Sequence, residues 1–600
     1  MKFDVESFCH HPHNRAYTYF GAHLSDEGVT FRVYAPNATR VSVAGSFNGW
    51  NYYEKWMNRI SDSGIYEFFI PQLREWDMYK FGVFKEDGTY VEKADPYSFY
   101  NELSPGFASK VVDIYRYQFN DQHWMQHRDL NFNRPMNIYE VHLGSWIHEE
   151  NMTYESLAYK LVEYLEFMNY THVELMPVTE HPFLGSWGYQ VTGFFAVTSR
   201  YGSLDQFKKF VDVMHQHGYG VILDVVPVHF VKDTHGLCCF DGTDQYEMHE
   251  ESEWGTHYFD YSKVENQTFF ISSVSYWIEM CHIDGLRMDA ISNLIYYQGN
   301  RDRGENGPGI HFLKTMNHIL KKEYPTVMLI AEDSSDYGNV TKSETEGGLG
   351  FHYKWDLGWM NDTLEYYVLD PIYKKDNHKL INYSMYYFYS ERFLMPLSHD
   401  EVVHGKKTIV DKMWGDYDQK FALAKNLFLY MMTHPGKKLN FMGNEMGHFR
   451  EWDEEKPLDW FLLDYPRHLS FRRYIQDLNH IYSHYDALWE NDYGFNGFKW
   501  IEVDNHDQSI YSYYRIGSKS TVIVVLNMTP VSYERYDVGV PESGTYIELI
   551  NSEKDIYEGC NMTNYVALES SNDPLHQQPH RIQTRLAPFA AVMFIKDTYK

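Results

Sequence analysis

Four apolar runs of this sequence end in carboxylates or histidines that could carry out acid–base chemistry. Cleavage of a glycosidic bond needs two carboxyl groups: one attacks or stabilises the anomeric carbon, and the other protonates the leaving oxygen. Asp289 and Glu332 are the candidates for this pair. The residues that close the four runs are Asp224 with His229, Arg287 with Asp289, Glu332, and His399 with Asp400.

Arg287 stands two residues before Asp289 in one apolar run. Because side chains alternate along a strand, the two are expected to lie on the same face. A guanidinium in that place would keep Asp289 ionised and oriented, whereas Glu332 needs a more apolar setting to keep a proton. A single carboxylate after an apolar run commonly caps the next helix, so only the four runs together indicate a catalytic site.

Eight apolar runs that alternate with amphipathic stretches predict the elements that position these residues. In one repeat, Ser203 and Gln206 form a capping box, a helical apolar face follows, and Gly218 ends the helix. The pattern favours a (β/α)8 TIM barrel, with an open doubly wound sheet as the alternative. In such a barrel the strand-end carboxylates would meet on one rim. The predicted strands lie in 137–143, 172–176, 221–226, 285–291, 327–332, 351–359, 393–400 and 437–443.

The rest of the chain has the pattern of β-structure. Short β-type runs separated by turn residues predict an N-terminal β-sandwich over residues 1–114. The barrel would occupy 115–494, with an excursion at about 231–262 after its third strand. Helical patterns vanish from about 495, so 495–600 is predicted to be an antiparallel all-β domain.

The charge of the chain restricts the kinds of molecule that it can bind. A formal net charge of −30 repels phosphate backbones, which argues against nucleic acid and anionic membranes. The chain contains no apolar stretch of membrane-spanning length, and its first residues lack a signal-peptide pattern, so we expect a cytoplasmic protein.

Five cysteines are too few and too scattered for a disulfide framework, so they predict free thiols, with no metal site. The adjacent pair Cys238–Cys239 could be a redox or metal feature, although two small buried or loop residues are the more common case. We expect no cofactor; the sequence does not specify an oligomeric state, and a monomer is the default expectation.

The order and spelling of the four strand ends resemble the signature regions of the α-amylase superfamily of glycoside hydrolases. Within it, GSWGYQVTG (185–193), SHDEVVHGK (398–406) and KWDLGWMNDT (354–363) resemble the 1,4-α-glucan branching enzymes. The N-terminal FRVYAPNA and VSVAGSFNGW resemble the starch-binding-like sandwich of such enzymes. Trp50 and Trp56 are candidate stacking residues there, although a tryptophan in a small sandwich belongs to the core at least as often.

The resemblance implies a role for each site residue. Asp289 would be the nucleophile, Glu332 the general acid/base and Asp400 a third carboxylate that holds ring hydroxyls. Tyr189 would stack under the reacting glucose, and Asp224 would orient its neighbours. Three further residues would line the same subsite: His229, Arg287 and His399.

The implied reaction is a retaining transglycosylation. An α-1,4-glucan is cut through a covalent glycosyl-enzyme, and the segment moves to a glucan 6-hydroxyl, which forms the α-1,6 branch points of glycogen. A hydrolase, either an amylase or a debranching enzyme, would share all four strand ends, so only the branching-type loops favour transfer. A non-catalytic glucan-binding protein on a decayed barrel is a third alternative. The presence of all three carboxylates argues against it.

Overall fold

The computed structural model describes residues 3–597; the first two and last three residues, which the predicted terminal domains include, lie outside this range. The chain forms two compact units. The first consists of Met1–Leu130, Glu149–Val162 and Glu174–His352, and the second of Asn131–His148, Glu163–Val173 and Tyr353–Lys600.

Eight strands form a closed barrel in which each strand neighbours the next in sequence. The barrel confirms the predicted fold class and excludes the open doubly wound sheet. All eight predicted runs contain a strand. The strands are β1 (Asn137–Val141), β2 (His172–Leu175), β3 (Gly220–Val225), β4 (Gly285–Met288), β5 (Met328–Ala331), β6 (Tyr353–Trp355), β7 (Phe393–Leu397) and β8 (Lys437–Phe441).

Long helices follow seven of the eight strands. The helices are α1 (Tyr154–Met168), α2 (Leu204–Gln216), α3 (Val264–Cys281), α4 (Gly307–Glu323), α5 (Leu357–Val368), α6 (Tyr417–Thr433) and α7 (Pro466–His484). Shorter helices span Gln122–His127, Leu143–Trp146, Ser292–Ile295, Pro371–Lys374, Lys379–Asn382, Ser384–Tyr387 and Ile409–Lys412. No helix within residues 3–597 is both long enough and apolar enough to cross a membrane.

Helix α2 forms as its sequence predicts. The Gln206 backbone N–H donates to Ser203 Oγ at 3.3 Å, and the Gln206 side chain accepts from the Ser203 N–H at 2.9 Å. Gly218 follows the helix with a φ of 85°, a conformation that glycine adopts without the steric cost of a Cβ. The capping box therefore fixes the start of a helix whose apolar face packs on the barrel.

The connection from β5 to β6 departs from the regular alternation. Within residues 332–352 the structure contains a single 3-10 turn, Glu344–Glu346, and no α-helix. The predicted run 351–359 was wrong in its length, because the strand ends at Trp355. Asp356 then caps α5 by accepting a hydrogen bond from the Trp359 N–H at 2.8 Å.

The first unit also contains the N-terminal sandwich and the excursion after β3. One sandwich sheet contains Gly21–Ser25, Gly28–Tyr34, Ile65–Pro71 and Asn58–Arg59, and the other contains Arg40–Gly45, Met78–Phe84, Tyr90–Lys93 and Ser109–Lys110. In the excursion, His229–Phe230, His257–Phe259 and Glu247–Glu251 form a three-stranded antiparallel sheet. Trp56 packs on the core beside Phe84, at 4.9 Å between ring centroids, whereas Trp50 lies 5.2 Å from Lys80 Nζ.

In the second unit the chain ends in the predicted all-β domain. Its larger sheet contains Phe498–Glu502, Ile510–Ile516, Thr521–Asn527, Ala591–Lys596, Thr545–Asn551 and Leu568–Glu569, and Tyr533–Val540 pairs with His580–Leu586. Residues 585–595 contain parts of two strands with a turn between them, at which Phe589 has a φ of 56°. Ile523, Val525 and Phe594 are fully buried in the core of this domain.

Candidate active site

A buried arginine on β4 lies at the centre of the first unit's charged cluster. The register of the parallel pair β3–β4 places Asp224 directly beside Arg287. Arg287 Nη1 donates to both carboxylate oxygens of Asp224, at 2.9 and 2.8 Å, and each side chain is only 1% exposed. A buried guanidinium without a partner would cost several kcal/mol, so this pairing makes its burial possible.

Arg287 also contacts both candidate catalytic carboxylates. Its Nη1 lies 2.7 Å from Asp289 Oδ1, and its Nη2 lies 3.9 Å from Glu332 Oε2. Burial alone would lower the pKa of Arg287, but the carboxylate of Asp224 and the other acidic groups raise it well above its usual value. The guanidinium therefore stays charged, and it orients two carboxylates that are partly open to solvent, at 17% and 14% exposure.

The turn after β4 holds Glu332 in place. Ala290 has a φ of 48°, in the left-handed region that costs a non-glycine residue on the order of 1 kcal/mol. Its backbone N–H donates to Glu332 Oε2 at 2.6 Å, while the Glu332 N–H donates to the Met288 carbonyl at 3.0 Å. The strained turn thus brings the segments that carry Asp289 and Glu332 together.

Tyr189 contacts the same cluster from the loop after β2. Its hydroxyl donates to Asp224 Oδ2 at 2.5 Å and lies 3.4 Å from Arg287 Nη1. The approach depends on Gly188, whose φ is 92° and at which a Cβ would lie 2.3 Å from the Pro177 carbonyl oxygen. The predicted role was stacking through the ring; the hydroxyl adds a hydrogen bond to the buried acid.

His229 lies in the excursion and contacts another set of residues. Its ring centroid lies 4.8 Å from that of Trp254, and within residues 3–597 its Nδ1 has no hydrogen-bond partner. Burial lowers the pKa of His229 to about 4, so the imidazole is neutral near pH 7. A neutral imidazole can donate one hydrogen bond and accept another, which suits a sugar hydroxyl.

In the second unit, a carboxylate on β1 positions the histidine that follows β7. The backbone N–H of His399 donates to Glu140 Oε2 at 2.9 Å, and its Nδ1 lies 2.5 Å from Glu140 Oε1. Because a carboxylate accepts hydrogen bonds, the proton of this short contact belongs to Nδ1, which directs Nε2 towards Asp400 Oδ1 at 3.4 Å. Asp400 is half exposed.

Sequence reasoning predicted seven of these positions from strand ends and Tyr189 from its loop, but it missed Glu140. The structure brings together Tyr189 and four residues of the first unit: Asp224, Arg287, Asp289 and Glu332. In the second unit it joins His399 to Asp400. Glu140 is a charged residue within the apolar run NIYEVHL, just as Asp224 is within the run 221–226, and this position in a predicted strand is the signal that could have found it.

Three family models match the chain. Residues 19–98 match carbohydrate-binding module 48, the isoamylase N-terminal domain. The α-amylase catalytic domain matches 156–268 and 239–523, and the α-amylase C-terminal all-beta domain matches 500–597. Thus all three parts of the predicted architecture have a counterpart among known domain families.

Full-length relatives and solved structures agree with these matches. The 1,4-alpha-glucan branching enzyme GlgB of Halothermothrix orenii is 45% identical over 97% of this chain and 96% of its own length. That of Bacillus subtilis is 43% identical over 96% and 94%. In fold, the chain is similar to a putative alpha amylase from Salmonella typhimurium, with a TM-score of 0.71 and 17% identity over 96% of this chain and 100% of that one. A pullulanase from Bacillus acidopullulyticus has a TM-score of 0.72 and 16% identity over 96% and 75%.

Proposed function

Because this chain belongs to the 1,4-α-glucan branching enzymes of the α-amylase family, we propose that Asp289, Glu332 and Asp400 carry out its glucan transfer. The enzyme cuts α-1,4-glucan chains and rejoins the segment through an α-1,6 bond. The observation that supports the assignment most strongly is the contact of one buried guanidinium with both Asp289 and Glu332. Two carboxyl groups held on one cation fit a double-displacement mechanism.

Asp289 is the nucleophile in this proposal. It attacks the anomeric carbon, the bond to the leaving oxygen breaks, and a covalent glycosyl-enzyme forms. The hydrogen bond from Arg287 Nη1 keeps the carboxylate ionised and fixes its direction. Asp224 supports this indirectly, because its charge compensates the buried guanidinium that orients Asp289.

Glu332 is the general acid/base. It gives its proton to the leaving oxygen in the first step and takes a proton from the acceptor 6-hydroxyl in the second. The Ala290 N–H holds one carboxyl oxygen, Oε2, so the carboxyl plane is fixed before substrate arrives. The two inversions at one carbon give net retention.

The other residues bind the donor sugar. We assign Asp400 to the ring hydroxyls, with His399 as its oriented neighbour, on the basis of its position after β7 and its match to the family's fourth signature region. Tyr189 offers its ring as a stacking surface, and the neutral imidazole of His229 offers a hydrogen bond. No cofactor enters the proposed mechanism.

The decisive experiment follows the fate of the glycosyl-enzyme. Transfer to a sugar hydroxyl preserves the number of reducing ends, whereas attack by water creates one for every bond cut. With amylose as substrate, the iodine colour should disappear and α-1,6 linkages should form while reducing ends hardly increase. A bound acceptor competes against bulk water because it is held in position. If the number of reducing ends rises by the number of bonds broken and no new α-1,6 linkages form, the protein is a hydrolase.

We further propose domain boundaries at 1–114, 115–494 and 495–600, and a glucan-binding role for the N-terminal sandwich. The match to carbohydrate-binding module 48 supports that role, since a second attachment point raises the effective affinity for long chains. The five free thiols support a cytoplasmic location.

A further inference from the structure

The excursion after β3 contains a group of thiol and carboxylate side chains that the glucan chemistry does not use. The Sγ atoms of Cys238 and Cys239 lie 3.8 Å apart, and with one carboxylate oxygen of Glu247 they lie within 4.8 Å of one another. His257 lies beside this group, with its Nε2 3.5 Å from Cys238 Sγ. We shall call Cys238, Cys239 and Glu247 the thiol cluster.

The separation of the two sulfur atoms fits a tetrahedral ion. Two thiolates at about 2.3 Å from a tetrahedral Zn²⁺ lie about 3.8 Å apart. The observed separation of 3.8 Å between Cys238 Sγ and Cys239 Sγ matches this value. We propose that the thiol cluster is a binding site for a thiophilic divalent cation of the Zn²⁺ type, with Cys238, Cys239 and Glu247 as ligands.

The surroundings of the thiol cluster orient these ligands in advance. Glu247 accepts backbone N–H bonds from Cys239 at 2.6 Å and from Tyr246 at 3.1 Å, which fixes its carboxylate. Lys93 Nζ donates to the Cys238 carbonyl at 2.6 Å and to that of Thr234 at 2.5 Å, which fixes the loop. Fixed backbone and side-chain partners around a ligand set are typical of metal sites.

One further observation favours an ion over a simple buried thiol pair. Cys239 is exposed while Cys238 and Glu247 are buried, which leaves an entry path on one side. Binding would replace one proton on each thiol by the metal, and those protons would pass to solvent.

The thiol cluster would join the loop 234–243 to the sheet that carries His229. In that sheet Phe230 pairs with His257, and His229 pairs with Tyr258. A bound ion would therefore stiffen the excursion without contact with the reacting sugar. This proposal departs from the expectation from sequence that the chain has no metal site, and it stands whether or not the proposed catalytic roles hold.

Cobalt titration of the full chain tests the proposal. The reduced protein, stripped with a chelator, should bind about one equivalent of Co²⁺ with sulfur-to-cobalt charge-transfer absorption and the strong d–d bands of a tetrahedral ion. Zn²⁺ should displace it. Cys238→Ser and Cys239→Ser should each lose most of the charge-transfer absorption, whereas Cys560→Ser, which changes an exposed cysteine elsewhere, should keep it. A wild-type protein that binds no more Co²⁺ than the Cys238→Ser/Cys239→Ser double variant would overturn the proposal.

A second measurement needs no variant and so does not depend on their folding. Zn²⁺ should slow alkylation of Cys239 at least tenfold and leave that of Cys560 unchanged, since both thiols are exposed but only one has the other ligands beside it. Equal alkylation rates with and without Zn²⁺ would count against the site. A Cys238–Cys239 disulfide in the purified protein, together with no binding after reduction, would assign the pair to redox chemistry instead.

Discussion

Replacing His215 by glutamine should weaken the first unit in a way that depends on pH. His215 lies on α2, with Nδ1 2.8 Å from Asp121 Oδ2 and Nε2 2.8 Å from Asp284 Oδ2. Asp284 directly precedes β4, so this triad ties a connecting segment and a helix to the strand that carries Arg287. All three residues are buried.

The magnitude follows from the pKa of the histidine. Burial alone would lower it, but Asp284 and Asp121 raise it from 6.5 to about 9. A folded-state pKa above the unfolded one means that the stabilisation is complete below about pH 6.5 and is lost as pH rises through about 9. The difference of about 2.5 pKa units corresponds to about 3 kcal/mol, or about 6–12 °C in Tm for a domain of 150–250 residues.

Thermal and urea unfolding of both proteins at pH 6 and pH 9.5 measure the effect. The free energy of unfolding should differ most between wild type and His215→Gln at pH 6. This difference should shrink by about 3 kcal/mol towards pH 9.5. His217→Gln is the matched control, because His217 lies two residues away on the exposed side. A gap that stays constant between the two pH values would refute the assignment of charge to His215.

The remaining predictions concern initial rates of glycosyl transfer, measured on amylose except where another donor is named. Asp289→Asn should lower kcat by several powers of ten while glucan binding survives, because the lost interaction is made in the transition state; activity near wild type would contradict the nucleophile assignment. Glu332→Gln should be least harmful with donors whose leaving groups need no proton, and an equal loss for all donors would argue against an acid role. Tyr189→Phe removes a hydrogen bond to a charged group but keeps the ring, so kcat should fall about tenfold with KM little changed, whereas an unchanged kcat would assign only stacking to Tyr189. Glu140→Gln should lower kcat about 10- to 100-fold by weakening the charge-assisted bond that orients His399, and full activity would remove Glu140 from the site.

Much of the fold was predictable because local rules decide it. The capping box of Ser203 and Gln206 and the stop at Gly218 depend on residues a few positions apart, and the structure confirms them. The end of β6 was missed because Asp356 both follows an apolar run and caps the next helix. Apolar pattern alone does not separate a strand from the first turn of a buried helix.

The chemistry of the site was predictable in its residue types but not in its contacts. The pairing of Asp224 with Arg287 depends on the register of two strands more than sixty residues apart in the chain, and one sequence does not specify that register. The same limit applies to Glu140 and His399, which lie on β1 and after β7. The thiol cluster depends on the fold of one loop over a three-stranded sheet, so from the adjacent cysteines alone a metal role was only one alternative.

The shared guanidinium of Arg287 has an electrostatic consequence. Three carboxyl groups contact this one cation: Asp224, Asp289 and Glu332. With Asp224 and Asp289 ionised and Glu332 protonated for its acid role, two negative charges face one positive charge, although the glucan that arrives is neutral. The excess is matched by the positive charge that develops on the anomeric carbon as the bond breaks. The negative charge therefore stabilises the transition state more than the neutral bound substrate. The groups that carry this charge are fixed before the substrate binds.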